Sequence, residues 1–320
     1  MELYKRFLTS FEMTINVLCW GMGVGWRLRR QPTPIPYKEN VIICHSERSE
    51  ESTVLYRTTI IVNQKTEIMN KIALVTGGSR GIGKDTALQL ASKGLDVIIT
   101  YQSNKDAAEK VVAEIEEMGH KAKSFQLDTS KNIKTFDVFV TDISNYLQTT
   151  YGQAKFDYLI NNGGVGGHKS VAEATEEEFD LMVNVHFKGV YFLTQKLLPF
   201  INDKGGIVNI SSGLTRRTFP NTSTYATVKG AIEVFTRVLA SELAEKKIRV
   251  NSVAPGAVQT DFNGGVTRDD PKMNQAVSNI TALGRPGLPE DLGGVIAFLC
   301  TDDAYWINGQ RIEVSGGMAL

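Results

Sequence analysis

The chain has 320 residues, with 35 basic and 35 acidic side chains and no formal net charge. Balanced charge without a long basic run removes the electrostatic case for a nucleic-acid partner, and a 42 % apolar fraction is that of a chain that builds a core. Three cysteines (Cys19, Cys44, Cys300) and four histidines (His45, His120, His168, His186) lack disulfide or metal-ligand spacing. The expectations are therefore a reducing compartment, the cytoplasm, and no metal.

Residues 1–68 differ in character from the rest of the chain. They lack sustained periodicity and crowd glycine and tryptophan over 20–26, arginine over 27–30, and proline at 32, 34 and 36. A secretory signal is not expected, because Glu12 and Asn16 interrupt the apolar part and no cleavage-like site comes after it. The uncharged run Met13 to Trp26 has 14 residues, against about 20 for a spanning helix. Its basic flanks keep a membrane-anchored form open. The preferred reading starts the functional protein at Met69, directly before the first convincing strand, with residues 1–68 a disordered leader or upstream sequence read as protein. Residues 69–320 then suit a single α/β domain.

Lys71 to Thr76 is a short apolar run leading into Gly77-Gly78-Ser79-Arg80-Gly81-Ile82-Gly83, and a helix continues to Lys93-Gly94. This strand, glycine turn and helix lets the backbone approach a phosphate at a helix N-terminus, although the glycine spacing differs from Gly-x-Gly-x-x-Gly. Asp96 to Thr100 is a second strand. Its end, Tyr101-Gln102-Ser103-Asn104-Lys105, lacks the carboxylate that would hold a ribose 2′-hydroxyl. With Arg80 in the turn and donors at Ser103, Asn104 and Lys105, a 2′-phosphate would be accepted there, so NADP(H) is favoured over NAD(H).

Asn104 caps a helix ended by Gly119, and Lys121 to Leu127 is a third strand with Asp128 and Thr129 at its tip, placed to meet adenine. A helix through Phe136, Phe139, Ile143 and Leu147 precedes a fourth strand at Tyr158–Ile160, which runs into Asn161-Asn162-Gly163-Gly164. Thr175 caps a helix with three glutamates in its first turn, ending at Asn184; another helix runs from Val185 to Phe200. Gly206 to Ser211 is the fifth strand, Ile248 to Val253 the sixth and Gly309 to Val314 the last. The sixth leads into a loop with Pro255, Gly256, Val258 and Thr260, and residues 261–285 read as a substrate lid with a helix from about Asp270 to Leu283. A helix opens at Pro289. The alternation predicts a Rossmann-type, doubly wound α/β fold: one parallel sheet of about seven strands, with helices on both faces.

The chemistry centres on residues 212–229. Ser212 comes directly after the fifth strand, Pro220 to Ser223 opens a helix, and Tyr225 and Lys229 stand at i and i+4 on one helix face. An ammonium beside a phenol favours the phenolate and lowers a pKa of about 10. Such a phenol can exchange a proton with an oxygen, and Ser212 could hold that oxygen. Taken alone, Tyr-x-x-x-Lys is an ordinary amphipathic helix face; the upstream pattern raises it.

Together these residues resemble the short-chain dehydrogenase/reductase family over residues 69–320. Thr76 to Gly83 looks like its cofactor motif, with Gly77, Ser79, Arg80, Gly81, Ile82 and Gly83 as contacts. Tyr101, Ser103, Asn104, Asp128, Thr129, Asn162, Gly163 and Gly164 extend that set, with Pro255, Gly256, Val258 and Thr260 on the nicotinamide side. Glycine stands at 163 where the family's Asn-Asn-Ala-Gly segment has alanine. The resemblance implies a catalytic set of Asn184, Ser212, Tyr225 and Lys229. Tyr225 would be the general acid or base. Lys229 would lower its pKa and bind the nicotinamide ribose, Ser212 would polarise the carbonyl, and Asn184 would hold a relay water. It implies NADP(H)-dependent carbonyl/alcohol interconversion on a small molecule, with a 3-oxoacyl thioester among the open substrates, and a homotetramer or dimer. An idle dinucleotide-binding regulator of the same fold stays open as the alternative. Arg216 and Arg217 could meet an anionic substrate or simply be solvated.

Overall fold

The computed structural model describes residues 70–320 apart from Asn132, and the backbone of a two-residue antiparallel pairing of Ile15–Asn16 with Ile61–Val62. Two compact units divide the chain, Met1–Ile68 and Met69–Leu320. The expectations placed on Met13 to Trp26, on Cys19, Cys44 and His45, and on initiation at Met69 lie outside the described residues.

Seven parallel strands form the sheet of the second unit: β1 (Ile72–Val75), β2 (Asp96–Tyr101), β3 (Ala122–Gln126), β4 (Phe156–Asn161), β5 (Ile201–Ile210), β6 (Arg249–Pro255) and β7 (Arg311–Val314), in the order β3-β2-β1-β4-β5-β6-β7. Strand order reverses between β1 and β4, so a crevice opens at the carboxyl ends of those strands. The helices are α1 (Gly81–Ser92), α2 (Lys105–Glu117), α3 (Thr135–Tyr151), α4 (Glu176–Val183), α5 (Gly189–Leu197), α6 (Ser223–Glu242), α7 (Val266–Asp269), α8 (Pro271–Asn279) and α9 (Glu290–Leu299).

Alternation along β1 sorts the core into two layers, because successive strand side chains point to opposite faces. Ala73 and Val75 pack with Leu90 of α1, Val111 of α2 and Ile296 of α9. Ile72 and Leu74 pack with Phe136 of α3, Leu193 of α5 and Leu239 of α6. Strands β1 and β2 read as near-continuous apolar runs because both faces are covered. Each large apolar side chain buried in these layers contributes about 1.5–3 kcal/mol. Caps set the helix starts as the sequence suggests: Asn104 accepts the Ala107 N–H, and Thr175 makes a capping box with Glu178.

Three details differ from the sequence reading. Strand β5 begins at Ile201, not Gly206, because buried Ile201 pairs with Phe156 before an irregularity at the positive-φ residue Lys204. The helices read as separate around residue 184 are joined by a π-helical turn, Asn184–Lys188. Gly189 comes next because a Cβ there would lie 2.7 Å from the Asn184 carbonyl oxygen and 2.8 Å from that of Thr129. Thr222 precedes α6 without capping it; its hydroxyl donates to the Phe219 carbonyl at 2.7 Å. Among the described residues, no helix is long and apolar enough to cross a membrane.

Candidate active site

The glycine turn after β1 is built by close backbone approach. Gly77 and Gly81 have positive φ, and a Cβ on Gly83 would sit 2.2 Å from the Gly77 carbonyl oxygen. The Asn162 amide donates to the carbonyls of Thr76 and Gly77 at 2.9 and 3.1 Å. The Thr76 hydroxyl oxygen accepts the N–H groups of Asn162 and Gly163, and Thr100 accepts that of Gly77. A Cβ on Gly77 would press to 2.8 Å from Gly163 Cα, whereas one on Gly163 would meet ordinary contact at 3.5 Å. The family's alanine would therefore fit at 163. Arg80 precedes α1 without a side-chain cap, so the first N–H groups of α1 are left without a capping side chain.

Around this turn lie the other residues singled out for a nucleotide. Tyr101 is buried, and Ser103 and Asn104 are exposed, with Asn104 spending its amide oxygen on its own helix. Asp128 accepts from the N–H and hydroxyl of Ser130 at 3.0 and 2.6 Å. Burial pushes this carboxyl up, but Ser130, Gln102 and Lys131 together hold it below its ordinary value. Thr260 lies against Gly81, and Val258 bridges to Gly287. The Arg80 side chain is largely exposed, 3.8 Å from Asp261.

On the far side of the crevice, α6 presents Tyr225 and Lys229. Lys229 is 5 % exposed, donates to the Ile210 carbonyl at 2.7 Å, and lies 5.6 Å from the centroid of the Tyr225 ring. Ser212 is two residues beyond Ile210, buried, with its hydroxyl oxygen accepting the Leu214 N–H at 3.2 Å. Burial pushes the Lys229 ammonium down to about 7 and the Tyr225 phenol above its ordinary value. Desolvation acts on both groups toward neutrality, and the ammonium faces the ring.

A cavity of about 180 Å³ opens at Tyr225, lined also by Gly166, His168, Lys169, Met182 and Thr222. Phe262 lies 6.0 Å from the Tyr225 ring, and Asn263 is hydrogen-bonded to His168 at 2.6 Å. The segment after β6 thus contacts the loop after β4 across the cavity.

The family described as enoyl-(acyl carrier protein) reductase matches residues 77–319. A short-chain dehydrogenase/reductase of Pestalotiopsis microspora is 36 % identical over 258 residues, covering 77 % of this chain and 94 % of its own. The chain belongs to the short-chain dehydrogenase/reductase family. Solved structures agree. The promiscuous reductase LugOII, which catalyses keto-reduction at C1 during lugdunomycin biosynthesis, superposes with a TM-score of 0.75 at 36 % identity, over 80 % of this chain and all of its own. The landomycin C-6 ketoreductase LanV, with bound NADP and rabelomycin, has a TM-score of 0.72 at 35 % identity, over 79 % of this chain and 97 % of its own.

Within this short-chain dehydrogenase/reductase, Tyr225, Lys229 and the strand end leading to Ser212 come together. The Asn184 side chain, on the π turn, makes no hydrogen bond among the described residues. The ring beside Tyr225 belongs to His186, edge-on at 5.1 Å between centroids. His186 is 1 % exposed; its Nε2 lies 2.7 Å from the Val165 carbonyl oxygen and 3.3 Å from the Val165 nitrogen, the shorter contact favouring a proton on Nε2, and Nδ1 has no hydrogen-bond partner among the described residues. Burial first, and then Lys229, push this imidazole down to about 3 against the Val165 carbonyl, so it is neutral. Sequence reasoning passed over His186 because a lone helical histidine has no local signature; the π turn that swings it inward is a tertiary feature.

Proposed function

We propose that the protein is an NADP(H)-dependent oxidoreductase that interconverts a ketone and a secondary alcohol. The observation that carries this reading is a buried lysine, hydrogen-bonded to the end of the strand that leads to Ser212 and set against the ring of Tyr225. The glycine turn and the uncapped start of α1 fit a dinucleotide pyrophosphate, and Arg80 and Ser103 suit a 2′-phosphate. Asp128 and Thr129 would meet the adenine; Asn162, Gly163, Gly164, Pro255, Gly256, Val258 and Thr260 would flank the nicotinamide half. The bound cofactor would supply or accept the hydride.

In reduction, the Tyr225 phenol gives its proton to the substrate oxygen while Ser212 holds that oxygen by a hydrogen bond. The resulting phenolate is stabilised by Lys229 in its charged form, which a value of about 7 keeps accessible at neutral pH. His186, neutral and wedged on the ring edge, orients the phenol. The cavity beside Tyr225, with Met182 at its wall, suits an apolar ketone, and residues 261–285, which reach the Tyr225 ring through Phe262, would serve as its lid. LugOII and LanV support a ketone carried on a larger skeleton; a 3-oxoacyl thioester is the other candidate. Exposed Tyr191, Val234 and Val238 on α5 and α6 support a homo-oligomer, a tetramer or dimer.

Titration of the full chain with NADPH and NADH, then loss of reduced-nicotinamide absorbance across a ketone panel, tests the reading. NADPH-selective binding with turnover is expected, and Arg80→Ala should lower affinity for NADPH and leave that for NADH. Tight NADPH binding without turnover on any ketone would favour an idle regulator instead.

A further inference from the structure

Behind Ser212 runs a chain of ion pairs that the reaction itself does not use. Arg311 on β7, only 6 % exposed at its side chain, donates through Nη2 to the Ser212 carbonyl at 3.2 Å and through Nε to Glu233 of α6 at 2.6 Å. Glu233 also accepts the hydroxyls of Ser211 at 2.6 Å and Thr215 at 2.7 Å, on either side of Ser212. Arg311 Nη1 continues to Glu313 at 2.9 Å, and Glu313 pairs in turn with Arg217 from the turn after Ser212. Two guanidiniums and two carboxylates thus neutralise one another in a largely dry seam, where each needs its partners. Arg217 is therefore occupied by Glu313, which removes it as a candidate for an anionic substrate.

The network does not stop at β7. Arg217 Nε donates to the Ala319 carbonyl at 3.1 Å, so the turn after Ser212 is tied to the last residues of the chain. Those residues pair with the segment just after α8: Ala319 N–H donates to Ile280 at 2.6 Å, and the Ala282 and Leu283 N–H groups donate to Gly317 and Gly316 at 3.2 and 3.0 Å. The serine turn and the C-terminal end of the 261–285 segment share one anchor, the tail Gly316–Ala319.

We propose that Arg217 and Arg311 are positioning residues, and that the chain Glu233–Arg311–Glu313–Arg217 together with the tail holds Ser212 and the end of the lid segment in fixed mutual position. This rests on the reductase reading for its effect on turnover, but the coupling itself is structural. A substrate oxygen must meet Ser212 and Tyr225 together, so a loosened serine turn costs rate rather than cofactor affinity. The glycine turn at 77–83 meets the 261–285 segment at its opposite end, through Arg80 and Asp261, and its Gly77 and Gly78 serve as the internal control.

The test compares the full chain with Arg217→Gln and with a chain ending at Met318. Arg217→Gln leaves Glu313 paired with Arg311, and the shortened chain removes the two bonds of Ala319, its carbonyl's to Arg217 and its N–H's to Ile280, with an exposed Leu320, so both should fold. Amide exchange at Thr215 and Arg216 and at Ala282 and Leu283 should quicken together, about tenfold, while Gly77 and Gly78 keep their protection. The kcat for a ketone should fall about tenfold with the NADPH Kd unchanged. Loosening of only one of the two segments, of neither, or of all amides alike would overturn the proposal. If the full chain reduces no ketone, the functional reading fails while the exchange measurement still decides the coupling.

Discussion

The two halves of the sheet solve different problems with different materials. Around β1 and β4, the crevice is made of backbone: glycines at positive φ, carbonyls within van der Waals reach, and Thr76, Thr100 and Asn162 bonding main-chain groups. Around β5 to β7, it is made of ionisable side chains largely taken out of water: Lys229, His186 and the Glu233–Arg311–Glu313–Arg217 chain, with Tyr225 half-buried at the cavity. A phosphate-binding turn needs N–H groups and space, which the main chain supplies once side chains are absent. Proton transfer needs groups whose charge is delicately placed, and burial with selected partners supplies that. On the proposed reading, binding is a shape property and chemistry an electrostatic one.

Perturbing one half at a time should separate the two. Tyr225→Phe keeps the ring and its contacts with His186 and Phe262 but removes the proton; kcat should fall about 10²–10⁴-fold with the NADPH Kd unchanged, read by steady-state kinetics and a binding titration. A weakened Kd would break the division. Gly83→Ala attacks the other half. Its Cβ would be driven into the Gly77 carbonyl, so NADPH affinity should drop on the order of 10²-fold, measured by nicotinamide fluorescence.

Lys229 sharpens the electrostatic side through pH. Its pKa is depressed from 10.5 to about 7 in the folded chain, so between those values the unfolded chain binds a proton that the folded one does not. Stability from this group therefore rises with pH across that window and is lowest below it. Lys229→Met should remove that rise and be more stable near pH 7, by on the order of 1–3 kcal/mol or several degrees in Tm. Denaturation curves at pH 7 and 9 for both proteins test it; parallel pH dependence would show the lysine to be hydrated. The smallest effect belongs to His186→Leu. An edge-to-face contact of about 0.5–1.5 kcal/mol corresponds to at most about a tenfold loss in kcat, with NADPH binding unchanged.

Legibility in the sequence divides along the same line. Gly77, Gly81 and Gly83 announce the turn because a positive φ and a missing Cβ are demands a residue meets alone. The capping residues Asn104 and Thr175 and the apolar phases of β1, β2 and α3 are readable for the same local reason. Tyr225 and Lys229 are readable as a pair because helix geometry puts i and i+4 on one face. Ile201 is hidden because its neighbours Asn202 to Lys204 read as a turn, and only pairing with Phe156 recruits it to β5.

Local stereochemistry along the chain thus settles the sheet, the glycine turn and the tyrosine–lysine pair. The tertiary structure alone decides which side chains share a dry pocket. His186 and Tyr225 are 39 positions apart yet in ring contact, and Arg311 reaches Ser212 from 99 positions away. It also decides how far each group is desolvated: burial pushes the phenol and the ammonium toward their neutral forms, which spacing along a helix does not reveal. Spacing encodes neighbours along an element, but desolvation depends on everything packed around a group, and that is a property of the folded whole.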